Sequence, residues 1–276
     1  MKLLKPFLTA GLTLSLLQFS AGQDEPEKPR EKTDVEIKRD KLNEAFSNLP
    51  EEKRTAYLKG RQEAQRLFSK KRTFETLMTI YEIEEIFPND PAVLNLIGAV
   101  HVEFRDFDYA RLIFDRAVEL AGEDPKILFN VAEIEFCSNN WETCIQKFDY
   151  LIKKIDNPDS DFVNIMELKR LLCFLALANE NKDNAQKRAE YLNKAKEIAK
   201  LHDYMDDTPF SYYANASLAY FEEDKILASE WVMRGKKVFG PANTLSWDDT
   251  LVEFGYIESH YGLHFSKANR DEPAAP

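Results

Sequence analysis

Two Asp-Pro dipeptides, Asp90-Pro91 and Asp124-Pro125, stand 34 residues apart, and this interval constrains the chain more than any other feature. In each, the Asp is suited to cap a helix and the Pro to occupy its first turn, where a missing N–H costs nothing and a fixed φ is already helical. Aligned on the prolines, Leu94 meets Leu128, Ile97 meets Val131 and Gly98 meets Ala132. Further on, Phe107 meets Trp141, Ala110 meets Cys144 and Phe114 meets Phe148. Side-chain size is kept at every position, small ones included. A period of this length fits one pair of helices and its turns, repeated as an array. Gly is scarce, with 9 in 276 residues, which also favours helices over a turn-rich β architecture.

This pattern resembles the tetratricopeptide repeat (TPR) family. The best unit reads Leu94, Ile97, Gly98, His101, Ala110, Phe114 and Ala117, with His101 where the family has Tyr. Gly98 and Ala110 are small so that two helices can pack closely, while Leu94 and Phe114 fill the space between hairpins. The resemblance covers about residues 57–240 and implies an all-α fold, a right-handed TPR-like α-solenoid of helical hairpins with capping helices at both ends. Units are expected near 57–90, 91–124, 125–158, 159–208 and 209–240, with caps at 33–56 and 241–265. The 159–208 unit departs from the period, with lengthened helices near Asp161–Asn179 and Lys182–Leu201. Thr33 with Glu36 reads as a capping box. Ser246 with Asp249 has similar logic ahead of a helix over Leu251–Tyr261.

The flanks carry the address. Lys2 and Lys5 precede an apolar run, Phe7–Phe19, and Ser20-Ala21-Gly22 supplies small residues for cleavage before Gln23. Residues 1–22 therefore read as a secretory signal peptide, and the protein as exported, periplasmic or secreted, with a bacterial source favoured by family habit. Residues 23–32 and 266–276 are polar and Pro-bearing and are expected to be disordered tails. Loss of Lys2 and Lys5 takes the formal charge from −11 to −13. Such a charge repels nucleic acid and anionic lipid, so neither is expected as a partner, and no membrane insertion is expected after cleavage.

In the TPR family the first helices of the hairpins line a concave groove. The resemblance therefore implies that Arg61, Phe68, Asn95, Glu103, Phe129, Glu133, Phe136, Tyr213, Tyr220 and Phe221 face a protein or peptide ligand, with Gln65, Ala99, Val102 and Ser217 beside them. The family's clamp of Lys, Asn and Arg for acidic tails is not met, because Glu133 stands where an Asn is needed and Arg61 is isolated. For each of these side chains the competing reading is plain core. No cofactor or metal is expected. His260 and His264, at i,i+4 with Glu258 nearby, could bind a metal, but Gly262 weakens the helix and an ordinary surface pair is the simpler reading. Asp203, Asp206 and Asp207 could act as acids or hold Ca²⁺, yet they precede Thr208-Pro209 and read better as a capping loop. Lys70-Lys71-Arg72 reads as a solvated turn. Cys137, Cys144 and Cys173 read as buried thiols, with a Cys137–Cys144 pair as the alternative. The expected function is a non-enzymatic scaffold. The alternatives are a structural subunit of an envelope or secretion assembly and, further off, a hydrolase.

Overall fold

A computed structural model describes residues 32–157 and 160–258 of the chain. Among them are twelve helices and no strand. The first six are α1 (Asp34–Ser47), α2 (Glu51–Ser69), α3 (Thr73–Ile86), α4 (Pro91–Glu103), α5 (Phe107–Ala121) and α6 (Pro125–Cys137). The others are α7 (Trp141–Ile152), α8 (Asp161–Glu180), α9 (Ala185–Ile198), α10 (Phe210–Phe221), α11 (Lys225–Phe239) and α12 (Leu245–Phe254). The expected signal peptide, most of the N-terminal tail, the C-terminal tail, Asp159 and the His260–His264 pair lie outside the described residues.

Local chemistry sets these helices. Asp90 accepts from the backbone N–H of Ala92 at 2.8 Å, and Asp124 does the same for Lys126 at 2.8 Å. Thr33 and Glu36 form a reciprocal capping box at the start of α1. The turns inside the hairpins also repeat. Lys71, Arg105, Asn139 and Glu223 all have positive φ, and the first three are spaced by the 34-residue period. After each, a backbone N–H reaches five residues back into the first helix: Arg72 to Leu67, Asp106 to His101, Asn140 to Glu135 and Asp224 to Ala219. This is the left-handed helix stop usually given to Gly, here built from side-chain-bearing residues.

Helices pair as α2–α3, α4–α5, α6–α7, α8–α9 and α10–α11, and the hairpins stack into a TPR-like solenoid. Within α4–α5 the approach is close enough that a Cβ on Gly98 would sit 2.4 Å from the ring of buried Phe114. First helices touch along much of the stack (α2 on α4, α4 on α6, α8 on α10), whereas no two successive second helices make a comparable contact. The first helices therefore form the inner face.

The unit that departs from the 34-residue period has a longer first helix, 20 residues in α8 against 13 in α4 and in α6. Fifteen of the 20 residues of α8 are buried, from Val163 to Ala178. A helix enclosed on nearly all sides carries no polar stripe, so its periodicity is erased. Two boundaries also differ from expectation. The helix after α8 begins at Ala185 and not at Lys182. The last helix begins at Leu245 after Thr244 and ends at Phe254, where Gly255 adopts φ +89°. Ser246 and Asp249 thus lie inside α12 and do not cap it.

The two flanking helices do more than close the ends. The α1 helix lies along α5, its Lys38 bonded to the carbonyl of Glu119, and Phe46 tucks edge-on against Tyr57 and Phe87. The α12 helix turns inward and lies against α8.

Candidate functional site

The α12 helix divides the inner face into three parts. At the centre, Lys169 of α8 is buried, its ammonium 2.6 Å from Glu133 of α6 and 2.5 Å from Glu253 of α12. The same ammonium lies 4.4 Å above the ring of Phe136. Burial alone would lower the Lys169 pKa; the two carboxylates outweigh it and hold the pKa above its ordinary value. Burial pushes the Glu253 carboxyl up to about 7, with Glu133 adding to the rise and Lys169 opposing it. One helical turn earlier, Asp249 meets Lys71 at 3.2 Å, and Lys71 also pairs with Glu103 at 2.9 Å. Burial would lower the Lys71 pKa, and Glu103 and Asp249 together raise it.

Apolar contacts complete the seat. Trp247 and Leu251 are fully buried. Trp247 lies against Phe210 and Tyr213, and Asp248 accepts from Tyr213 and pairs with Lys236. Phe254 packs on Phe136 and Trp141. A residual cleft of about 380 Å³ remains beside α12, lined by Phe129, Glu133, Phe162, Ile165 and Lys169 with Trp247, Asp249 and Glu253.

The N-terminal part of the inner face is open. A cleft of about 550 Å³ lies between α1 and the first helices, lined by Arg39, Leu58, Arg61, Gln65, Asn95, Lys126 and Ile127 among others. Its acids are engaged: Asp90 caps α4 and takes bonds from Tyr57 (2.6 Å) and Arg61 (3.3 Å), while Asp124 caps α6. Arg39 and Lys126 form no ion pair among the described residues. Asn95 accepts from Asn130 at 2.9 Å. At the far end, a cleft of about 290 Å³ is lined by Trp141, Leu175, Tyr220, Phe221, Phe254 and Tyr256. Tyr220 stacks on Tyr256 at 4.9 Å, and Arg188 sits 5.5 Å from the ring of Phe221.

The residues expected to line one groove are thus separated. Arg61 and Asn95 border the open cleft, and Phe68 is half-buried against the N-terminal cluster that includes Tyr57, Ile80 and Val93. Glu103, Phe129 and Glu133 lie where α12 sits. Tyr220 and Phe221 border the far cleft. Two placements are corrected. Phe136 is 1% exposed and Tyr213 0%, so both are core and offer no surface to a ligand. A step of one residue turns a side chain by about 100°, and both aromatics point between helices. Ser217 is likewise buried, bonded to the carbonyl of Tyr213.

Three partners in this arrangement were not anticipated: Lys169, Glu253 and the role of Lys71. Lys71 is no solvated turn residue, because its left-handed backbone aims it at Glu103 and Asp249. Lys169 stands between Glu167 and Arg170 in sequence, so it reads as one of an ordinary charged group and carries no distinctive signal. The thiol that neighbours Cys144 is Cys173, not Cys137, and all three cysteines are free. Asp206 accepts from the backbone of Asp203 at 3.0 Å and pairs with His202, a loop arrangement. No helix among the described residues is long and apolar enough to cross a membrane.

No family model matches the sequence, and no curated protein matches it. Among solved structures, one described as a functional characterization of pilF from Pseudomonas aeruginosa aligns over 74% of this chain and 100% of that one, at 14% identity and a TM-score of 0.40.

Proposed function

We propose that this chain is an exported, non-enzymatic scaffold that binds a protein or peptide partner on its inner face. The observation that carries this reading is the open cleft beside α1, where Arg39 and Lys126, which form no ion pair among the described residues, and the amides of Gln65 and Asn95 border apolar Leu58 and Ile127. A mixed wall of this kind suits an extended peptide with a few apolar anchors. The charged, apolar and small-residue order at the N-terminus supports export. The test is affinity capture by the full chain from envelope and culture-medium extracts, beside an Arg61→Ala/Asn95→Ala variant. A partner kept by the parent chain and lost by the variant supports the reading. Retention of the same partner by both removes the cleft from it.

A second reading, a structural subunit of an envelope assembly, rests on a different observation. Phe74, Met78 and Tyr81 are exposed at i, i+4 and i+7 on α3, and exposed Leu112 takes on α5 the place of Met78 one repeat on. Such a stripe on the outer face marks protein contact. Loss of the captured partner in a Phe74→Ser/Met78→Ser chain, with the cleft variant unaffected, favours it.

A further inference from the structure

The residues beneath α12 are unusual for a helix seat inside a core. Beside the aromatic contacts of Trp247 and Phe254, they include the charged side chains Lys71, Glu103, Glu133 and Lys169. Two of the three carboxylates of α12, Asp249 and Glu253, stand at i,i+4 and each meets one of the two lysines. The α12 helix is also not simply the next member of the stack. It lies closer to α8 than to the hairpin that precedes it. Its fit is incomplete, since the cleft of about 380 Å³ persists along it.

We propose that α12 is an intramolecular occupant of a peptide site, and that the ligand of this site in trans is an acidic amphipathic helix from a partner protein, with a Trp anchor and carboxylates placed as in Asp249 and Glu253. The proposal rests on the scaffold reading above and adds the chemistry of the ligand and the device that regulates its access.

The energetics divide two roles. Burial of large apolar side chains is the main favourable contribution, so Trp247 and Leu251 supply most of the hold. A buried ion pair nets close to zero against its desolvation, so Lys169 and Lys71 select which helix fits and in which register. A helix with basic residues at those two places is excluded, because it would leave two lysines facing cations.

The covalent layout permits exchange. The α12 helix has ten residues and follows a connection that begins at Gly240, with φ +84° and open space around the position of a Cβ, is exposed over residues 241–243 and ends at buried Thr244. The helices α2–α11 pair with one another through contacts that do not involve α12, while Trp247 and Leu251 join it to the core. A site whose competent state is populated about 1% of the time shows an affinity weakened about 100-fold. The tether thus sets a threshold that a partner helix must exceed.

The test uses the full chain and a labelled peptide copying Asn243–Glu258. It is titrated into the parent chain and into a Trp247→Ala/Leu251→Ala chain, which loosens α12 and leaves the wall intact. The copy is expected to bind the loosened chain at least tenfold more tightly than the parent chain. A copy carrying Glu253→Lys is expected to lose that binding. Equal affinity for both chains, indifference to Glu253→Lys, or no binding by a loosened chain that keeps its helicity overturns the proposal. If the loosened chain loses helicity, hydrogen exchange on the parent chain decides. Amides of α12 that exchange faster than those of α8 support a detachable helix, and matching rates overturn it. None of these outcomes bears on whether the open cleft captures a partner, so failure here is distinguishable from failure of the scaffold reading.

Discussion

Tyr213 donates its phenolic hydrogen to Asp248 across 2.8 Å, tying α10 to α12 through two buried side chains. The bond has a counterpart at the other end of the stack, where Tyr57 of α2 donates to Asp90 at 2.6 Å. In both cases a first-helix Tyr holds the start of a later inner-face helix. Tyr213→Phe is expected to lose about 1–2 kcal/mol, because Asp248 keeps Lys236 at 2.8 Å as a partner. Tyr213→Ala is expected to lose about 3–5 kcal/mol through the cavity it opens. Urea unfolding measures both, and a Tyr213→Ala chain within about 1 kcal/mol of the parent would place the ring outside the core.

Gly98→Ala separates propensity from packing. In an exposed helix the change would gain up to about 1 kcal/mol. Here the new Cβ would stand 2.4 Å from the Phe114 ring, so a net loss of about 1–3 kcal/mol is expected. Adding Phe114→Leu to Gly98→Ala should recover part of it, measured by thermal unfolding. A Gly98→Ala chain more stable than the parent would mean that the hairpin opens freely to admit a methyl group.

Removing the Lys169 ammonium leaves Glu133 and Glu253 facing each other with no cation between them. Lys169→Met is therefore expected to lose about 3–5 kcal/mol. The chain that also carries Glu133→Gln and Glu253→Gln should regain most of this, because neutral amides need no counter-charge. If the triple variant is no better than Lys169→Met alone, lost packing and not lost charge explains the effect.

Glu253 makes the seat of α12 sensitive to pH. It is faced by Lys169 from α8, by Glu133 and Cys137 from α6, and by Lys71 from the turn after α2. Its pKa rises from an ordinary 4.5 to about 7 on folding, so between these values the folded chain holds more protons than the unfolded one. The contribution of this group is fullest below 4.5 and is lost as pH rises through about 7. Glu253→Gln mimics the protonated form. Its stability relative to the parent chain is expected to improve by about 1–3 kcal/mol between pH 4.5 and pH 8. Parallel urea titrations at those two pH values measure it, and a difference that stays constant or moves the other way rejects the assignment to Glu253.

What the sequence disclosed follows from the range of the interactions involved. Asp90-Pro91, Asp124-Pro125 and the Thr33–Glu36 box act within one helical turn, so their identities suffice to place α4, α6 and α1. The small Gly98 opposite Phe114 is legible because the repeat displays the same size pattern twice. The seat of α12 is not local. Asp249 and Glu253 look like an ordinary solvated face until Lys71 and Lys169, far away in sequence, are brought to them. Phe136 and Tyr213, expected on the groove side, are buried between helices, because the angle that divides groove from core depends on how neighbouring helices are rotated, and a single sequence does not record it.

Lys169 and Glu253 are 84 residues apart, and they are made in that order. At about 5–20 residues per second, a ribosome needs roughly 4–17 s to travel between them. In the later part of that interval, once α10 has been made, α6 and α8 also exist, Lys169 has Glu133 alone, and Phe210 and Tyr213 stand without Trp247. Every newly made copy therefore passes through a period in which its inner face is accessible to other molecules before its own last helix arrives. The first competitor for that surface is a matter of timing, decided during synthesis and not only by equilibrium in the finished protein.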